Sequence, residues 1–316
     1  MQINPADLTR AAEILTALRN EIGKAVVGQR EAVDQTLHAL LAGGHVLLEG
    51  PPGLGKTLLA RAIAKSMSLD YMRVQFTPDL APSDITGRAA ADARGPVFTN
   101  LLLADAINRA PARAQSALLE AMQEGQVTLE RQTLPLPRPF MVIATQNPLE
   151  SDGTWPLPDA ELDRFLFRID IGYPGLADES ELVTRSTAPG TTDPLPLGAV
   201  TPRLDARNVL SLQRMASHVR IDERMVDYAV RLVRASRAWP GLAGGASPRG
   251  TIAIVRAARA AALFAARDAV TADDIKQAAP HALRHRVRLA ADTQFDGRPL
   301  AEVLAAMLDS VEAPRV

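Results

Sequence analysis

The chain has 316 residues, of which 47% are hydrophobic and 22% charged, with a formal net charge of −1 and no cysteine. That length favours two domains of unequal size, and the missing thiols exclude a disulfide framework and a thiolate metal site. Near-neutral charge and 4% aromatic content argue against nucleic acid as partner, no apolar run is long enough to span a membrane, and Met1 to Arg10 lacks a signal-peptide core, so the cytoplasm is the expected compartment.

In chain order, Asn4 and Pro5 read as the cap and first residue of a helix striped by Leu8, Ile14, Leu15, Leu18 and Ile22. Val26 to Gln29 interrupts it. A second helix, with Val33, Leu37, Leu40 and Leu41 on one face, stops at Gly43-Gly44. His45 to Leu48 reads as a buried strand. The stretch GPPGLGKT at 50–57 then matches G-x-x-x-x-G-K-[ST]. Its glycines let several backbone N–H groups point into one hollow that cradles phosphate oxygens. Lys56 supplies charge for the β- and γ-phosphates, and the Thr57 hydroxyl is placed to ligate Mg²⁺. The expected cofactors are therefore ATP and Mg²⁺, held by Gly50, Pro51, Pro52, Gly53, Leu54, Gly55, Lys56, Thr57 and Leu58. Thr57 to Met67 reads as a helix, so strand, turn and helix N-terminus make an anion site.

Tyr71 to Phe76 reads as a second strand, and 77–100 as irregular. Leu101 to Asp105 is an apolar run ending in an acid, a buried parallel strand by pattern. In nucleotide hydrolases such a strand is expected beside the phosphate-loop strand, with its acid holding Mg²⁺ directly or through water; a helix cap is the plainer alternative for Asp105. A helix opened by Pro111 runs to Gly125. Val127 to Arg138 resembles a hairpin with Pro135 and Pro137 at an edge. Phe140 to Ala144 is a strand ending at Thr145-Gln146-Asn147, Asp159 to Phe165 a short helix, and Phe167 to Ile171 the last strand. Strands alternating with helices imply a parallel sheet covered on both faces. Thr187 to Arg203, with four prolines and two glycines, reads as a linker. Beyond it the periodicity is helical throughout: Asp222 caps a helix bearing Val226, Val230 and Val233; Ser247-Pro248 starts one bearing Ile252, Val255, Ala258 and Ala262; Thr271 with Asp274 imitates a capping box; Leu300, Val303, Leu304, Met307 and Leu308 stripe the last. His281 and His285 read as a helix-end surface pair rather than a metal site. Arg256, Arg259, Arg284 and Arg286 read as a solvated face.

Several stretches, in this order, carry a family resemblance: VVGQREAV (26–33), GHVLLEGPPGLGKT (44–57), RVQFTPDLAPSDITG (73–87), GPVFTNLLLADAINRAP (95–111), ALLEAMQEGQVTL (117–129), VIATQNPLE (142–150), LPDAELDRF (157–165) and GASPRG (245–250). The chain resembles an AAA+ ATPase of the MoxR family, in the helix-2-insert group that also holds the magnesium-chelatase ATPase subunits. The resemblance implies an α/β P-loop parallel-sheet domain over 1–186, a linker over 187–203 and an all-α lid domain over 204–316. It implies that Val26 to Gln29, Val27 and Gly28 among them, wall the adenine. Asn147 matches sensor 1, which orients the attacking water. Arg164 matches the arginine finger, which reaches the neighbouring subunit's γ-phosphate. Arg249 matches sensor 2, acting in cis or in trans. Residues 84–100 match the helix-2 insert and 126–138 the hairpin before sensor 1, loops that face the central channel or the partner. A ring-shaped homo-oligomer, expected to be hexameric, follows from the finger.

One position departs from the family pattern. Asp-Glu is expected at the strand end, and the chain has Asp105-Ala106. The missing carboxylate polarises the attacking water, a general-base role whose loss costs roughly 10²–10⁴ in rate. The other catalytic positions, Lys56, Asp105, Asn147, Arg164 and Arg249, are all present, which favours a substitution engineered to trap ATP over a natural binding-only subunit. The implied function is an ATP-driven, chaperone-like remodeler of partner complexes, whose client in this family often carries a von Willebrand factor A domain, with hydrolysis impaired by Ala106. The alternatives are a non-hydrolysing assembly switch and a metal-chelatase motor subunit.

Overall fold

The computed structural model describes residues 3–88, 94–129, 132–148, 153–188 and 197–314. Two helices, α1 (Pro5–Gly23) and α2 (Arg30–Leu41), precede β1 (Val46–Glu49) and α3 (Lys56–Ser66). Next come β2 (Tyr71–Gln75), α4 (Pro82–Thr86), β3 (Leu101–Asp105), a 3-10 turn at Ile107–Arg109, and α5 (Ala112–Glu124). The hairpin β4 (Gln126–Leu129) and β5 (Gln132–Pro135) leads to β6 (Met141–Gln146), α6 (Asp159–Leu162), β7 (Phe167–Asp170) and α7 (Leu176–Ser186). The rest is α8 (Ala206–His218), α9 (Glu223–Ala235), β8 (Leu242–Gly244), α10 (Pro248–Phe264), α11 (Ala272–Leu283), β9 (Arg288–Leu289), α12 (Ala291–Phe295) and α13 (Leu300–Ser310).

The main sheet has five parallel strands in the order β2-β3-β6-β1-β7. Its central strands read as unbroken apolar runs because both faces are covered. On one face Leu47, Leu102, Ala104, Val142 and Ala144 pack with Leu118 and Met122 of α5 and Val127 and Leu129 of the hairpin. On the other, Val46, Leu48, Leu101, Leu103, Ile143 and Phe167 pack with α1, α2 and α3, and that core runs on into α8, α9, α10 and α11. The helical C-terminal part therefore shares a core with the sheet domain.

Several expectations change. Asp105's strand does not lie beside the phosphate-loop strand: β6 pairs with both and separates them. The region 77–100 contains the helix α4; within the expected insert, residues 89–93 lie outside the described residues, as does the hairpin tip 130–131. The sequence pattern missed α7, which has no buried residue and so no apolar face to betray it. It also missed the short antiparallel ribbon of β8 and β9. In α9 the buried face is Met225, Tyr228, Ala229, Leu232 and Val233, leaving Val226 exposed. In α10 Ala253 and Ile254 face inward and Ile252 outward. Both slips arise where adjacent apolar residues fit two helical stripes equally well. The stretch read as a linker is partly anchored: Lys65 Nζ donates to Leu197 O at 2.6 Å, and Thr201 and Arg203 bond to the buried Glu21; residues 189–196 lie outside the described residues.

Candidate functional site

The loop between β1 and α3 is shaped by its glycines. Gly50 has φ +155°, and a side chain there would meet the Ile171 carbonyl oxygen at 2.3 Å, so only glycine fits. Gly55, left-handed at φ 82°, leads into α3 with no side-chain cap. The N-terminus of α3 therefore carries no capping side chain, the arrangement that can receive phosphate oxygens. Lys56 Nζ reaches back across the loop to the carbonyl oxygens of Gly50 (2.6 Å) and Pro51 (2.8 Å). Pro52, Gly53 and Leu54 complete the turn, and Thr57 and Leu58 follow in the first turn of α3.

Asp105 ends β3, in register with Gln75 of β2. Its Oδ1 accepts from Thr145 Oγ1 at 2.7 Å, and its Oδ2 accepts from Arg73 Nη2 at 2.7 Å and Nε at 3.0 Å. Thr145 Oγ1 also accepts from the Ala106 N–H at 2.9 Å. One hydroxyl thus fixes both the carboxylate and the peptide after it. Ala106 is left-handed at φ 56°, ψ 52°, which costs a residue bearing a Cβ about 1 kcal/mol or more. The buried Gln115 holds the following turn by donating to the carbonyls of Ile107, Ala110 and Trp155, each at 3.1 Å. Asn147 follows Gln146, which stands in register with Glu49 just before Gly50. Lys56, Thr57, Asp105, Ala106 and Asn147 therefore belong to the start of α3 and the carboxyl ends of β3 and β6, which run consecutively with β1 in the sheet as β3-β6-β1. A hydroxyl and a carboxylate are the hard oxygen donors that suit Mg²⁺. Sequence reasoning missed Thr145 and Arg73. It also missed Glu49, a buried carboxylate that burial pushes above the usual range, and that is met by Arg168 Nε at 2.9 Å and by the Gln146 amide. A polar residue ending an apolar strand is the one signal that pointed to Thr145.

The segment Val26 to Gln29, expected to wall the adenine, packs against the chain after β7. Gln29 Nε2 donates to Gly172 O at 2.8 Å. A side chain at Gly28 would lie 2.8 Å from Pro174 Cβ and 2.9 Å from Asp178 Cβ, so the close approach requires glycine.

Arg164 and Arg249 lie elsewhere, Arg164 reaching α5 and Arg249 set against Asp163. Arg164 Nη1 donates to Leu119 O at 2.8 Å. Asp163 Oδ2 accepts from Ser247 Oγ at 2.9 Å and pairs with Arg249 Nη1 at 3.6 Å. Two further expectations are corrected here. Arg286 is not solvated: its side chain is 3% exposed. His285 is buried, its Nε2 donating to Phe165 O at 3.1 Å, and burial holds its pKa well below the ordinary histidine value. His281 is partly buried and bonds to Gln35. The pair is therefore internal, and among the described residues no group of three or more candidate ligands forms a metal site.

The model for the ATPase family associated with various cellular activities (AAA) matches residues 45–167, and the AAA lid domain matches 233–306. The uncharacterised protein YeaC of Bacillus subtilis is 42% identical over 301 residues, 93% of this chain and 92% of its own. Chaperone MoxR1 of Mycobacterium tuberculosis is 42% identical over 327 residues, 97% of this chain and 84% of its own. The crystal structure of a candidate ATPase from Cytophaga hutchinsonii, 38% identical, superposes with a TM-score of 0.90 over 98% of this chain and 97% of that one.

Proposed function

The chain belongs to the MoxR family of AAA+ ATPases, and from that premise we propose that it is an ATP- and Mg²⁺-binding, chaperone-like remodeler that assembles into a ring and acts on partner protein complexes. The observation that supports this best is the meeting of GPPGLGKT, Asp105 and Asn147 at the carboxyl ends of β1, β3 and β6. In this reading Lys56 and the loop N–H groups hold the phosphates. Thr57 and Asp105 hold Mg²⁺, which when bound offsets charge on the terminal phosphates. Asn147 orients water, while Val27 and Gly28 flank the base. Arg164 serves the nucleotide of the adjacent subunit. Arg249 shares Asp163 with the turn that carries Arg164, so we assign it to the same neighbouring nucleotide, in trans. The hexamer and a client with a von Willebrand factor A domain are part of the proposal, as is the division at 187–203.

Ala106 supplies no carboxylate, so this chain binds ATP and turns it over slowly. That residue also favours a second reading, an assembly switch that uses binding alone. Calorimetry with ATP and Mg²⁺ tests the core of the proposal: the intact chain binds, and Lys56→Ala weakens binding at least about tenfold, because a charge-assisted contact is worth about 1.5–3 kcal/mol. Unchanged affinity would remove the site from GPPGLGKT.

A further inference from the structure

The turn that carries Arg164 is gripped from the helical C-terminal part chiefly by the Arg286 guanidinium. Arg286 donates five hydrogen bonds: Nε to Asp163 Oδ1 (2.7 Å), Nη2 to Asp163 O (2.8 Å) and Phe165 O (2.7 Å), and Nη1 to Leu166 O (3.2 Å) and Ala282 O. These match the five N–H donors that an Arg possesses. Three of the acceptors are the main-chain carbonyls flanking Arg164. His285 adds its own bond to Phe165 O, and Ser247, which caps α10, bonds Asp163 Oδ2. Phe165 is fully buried beneath this turn. Desolvating a cation costs several kcal/mol unless its hydrogen bonds are satisfied. An apolar side chain would close the same gap without that cost, but could not hold three carbonyls in a fixed direction.

We propose that Arg286 is a positioning residue for Arg164: it makes the 163–166 turn part of the same rigid body as α10 and α11, so that the aim of Arg164 at the next subunit follows the helical part of its own chain. This rests on the reading of Arg164 as a finger acting in trans. It adds a mechanical link by which a shift of the lid in one subunit changes the transition-state charge available to its neighbour.

The test is a double-mutant cycle on the full-length chain with Arg286→Lys, Arg164→Ala and the pair. Lysine keeps the charge but loses the planar fork. Sedimentation velocity with ATP and Mg²⁺ gives the subunit concentration at half-assembly. Calorimetry below that concentration gives the ATP affinity of the single subunit. Arg286→Lys is expected to raise the half-assembly concentration about tenfold, to leave single-subunit ATP affinity within about twofold, and to add nothing on top of Arg164→Ala. Multiplying effects in the pair, an unchanged half-assembly concentration in Arg286→Lys, or a loss of single-subunit affinity would each overturn the link while leaving the finger standing. If ATP drives no assembly, or Arg164→Ala leaves assembly unchanged, the finger reading itself fails and the link with it. Should Arg286→Lys fail to fold, Asp163→Asn loosens the same turn from the opposite side and enters the same cycle.

Discussion

At Asp105, Ala106 and Thr145, the proposed roles separate ATP binding from turnover. Thr145 joins the Asp105 carboxylate to the Ala106 N–H, so Thr145→Val strips both of a partner at once. An unsatisfied buried group costs about 1–3 kcal/mol, and the Mg²⁺-dependent part of ATP affinity is expected to fall about tenfold. Titrations with and without Mg²⁺ check this, and a loss of equal size in both would assign Thr145 to the fold instead. Ala106→Glu supplies the missing carboxylate at a backbone that already accommodates a Cβ in the left-handed region. Phosphate release at saturating ATP is expected to rise by roughly 10²–10⁴ with ATP affinity little changed. Equal rates would mean that another group activates water or that the chain is a binding-only switch. In the second case Arg164→Ala also leaves the rate unchanged.

Among the elements, α1 holds the connection into the helical part through one carboxylate. Glu21 is buried and accepts from Lys24 Nζ, from the Thr201 N–H and hydroxyl, and from Arg203. These bonds, Lys24 first, hold its pKa at about 2. A carboxylate depressed in the folded state stabilises above the unfolded pKa near 4.5 and loses that contribution as pH falls towards 2. Lys24 and Arg203 are 45% and 50% exposed, so solvent screening reduces the contribution to about 1–2 kcal/mol. Glu21→Gln is expected to lower the thermal midpoint at pH 7, with the gap to the parent closing between pH 4.5 and 2; a gap independent of pH would contradict the ion pairs. The β4–β5 hairpin is a different kind of element. Its buried residues, Val127 and Leu129, alternate with outward Gln126 and Thr128, so its base is anchored in the core beneath the sheet. Deleting Glu130 to Thr133 is expected to leave ATP binding intact and abolish effects on a client complex, and a normal client response would make the hairpin structural.

For the molecule as a whole, several histidines sit inside. His45 is locked neutral, with Nδ1 accepting from the Val142 N–H at 2.9 Å and Nε2 donating to Met122 O at 3.2 Å. Burial holds His38, His45 and His281 at about 4 and His285 well below the ordinary histidine value. Between pH 6.5 and 4 the unfolded chain takes up protons that the folded one refuses, so stability falls as pH drops through that window. Thermal midpoints are expected to decline steadily below about pH 6.5, and a flat profile from pH 7.5 to 5 would show that these rings are not desolvated. Among the described residues no helix is long and apolar enough to cross a membrane.

What the sequence determined by itself was local. GPPGLGKT announced its loop because glycine geometry and a lysine at fixed spacing have few other uses. Leu101 to Asp105 announced a doubly covered strand because continuous apolar runs have no other place to go, and Asp222, Ser247 and Thr271 announced caps that their side chains do form. Only the tertiary structure decided which strand lies between β1 and β3, because parallel strands joined by long crossovers carry no register signal in the chain. It alone turned Arg286 from an apparent surface charge into the buried fork under Arg164, some 120 positions away in sequence. The choice between Val226 and Met225, or Ile252 and Ile254, was likewise settled by what each helix met. Periodicity states that a helix has a buried face; the partner it packs against decides which one.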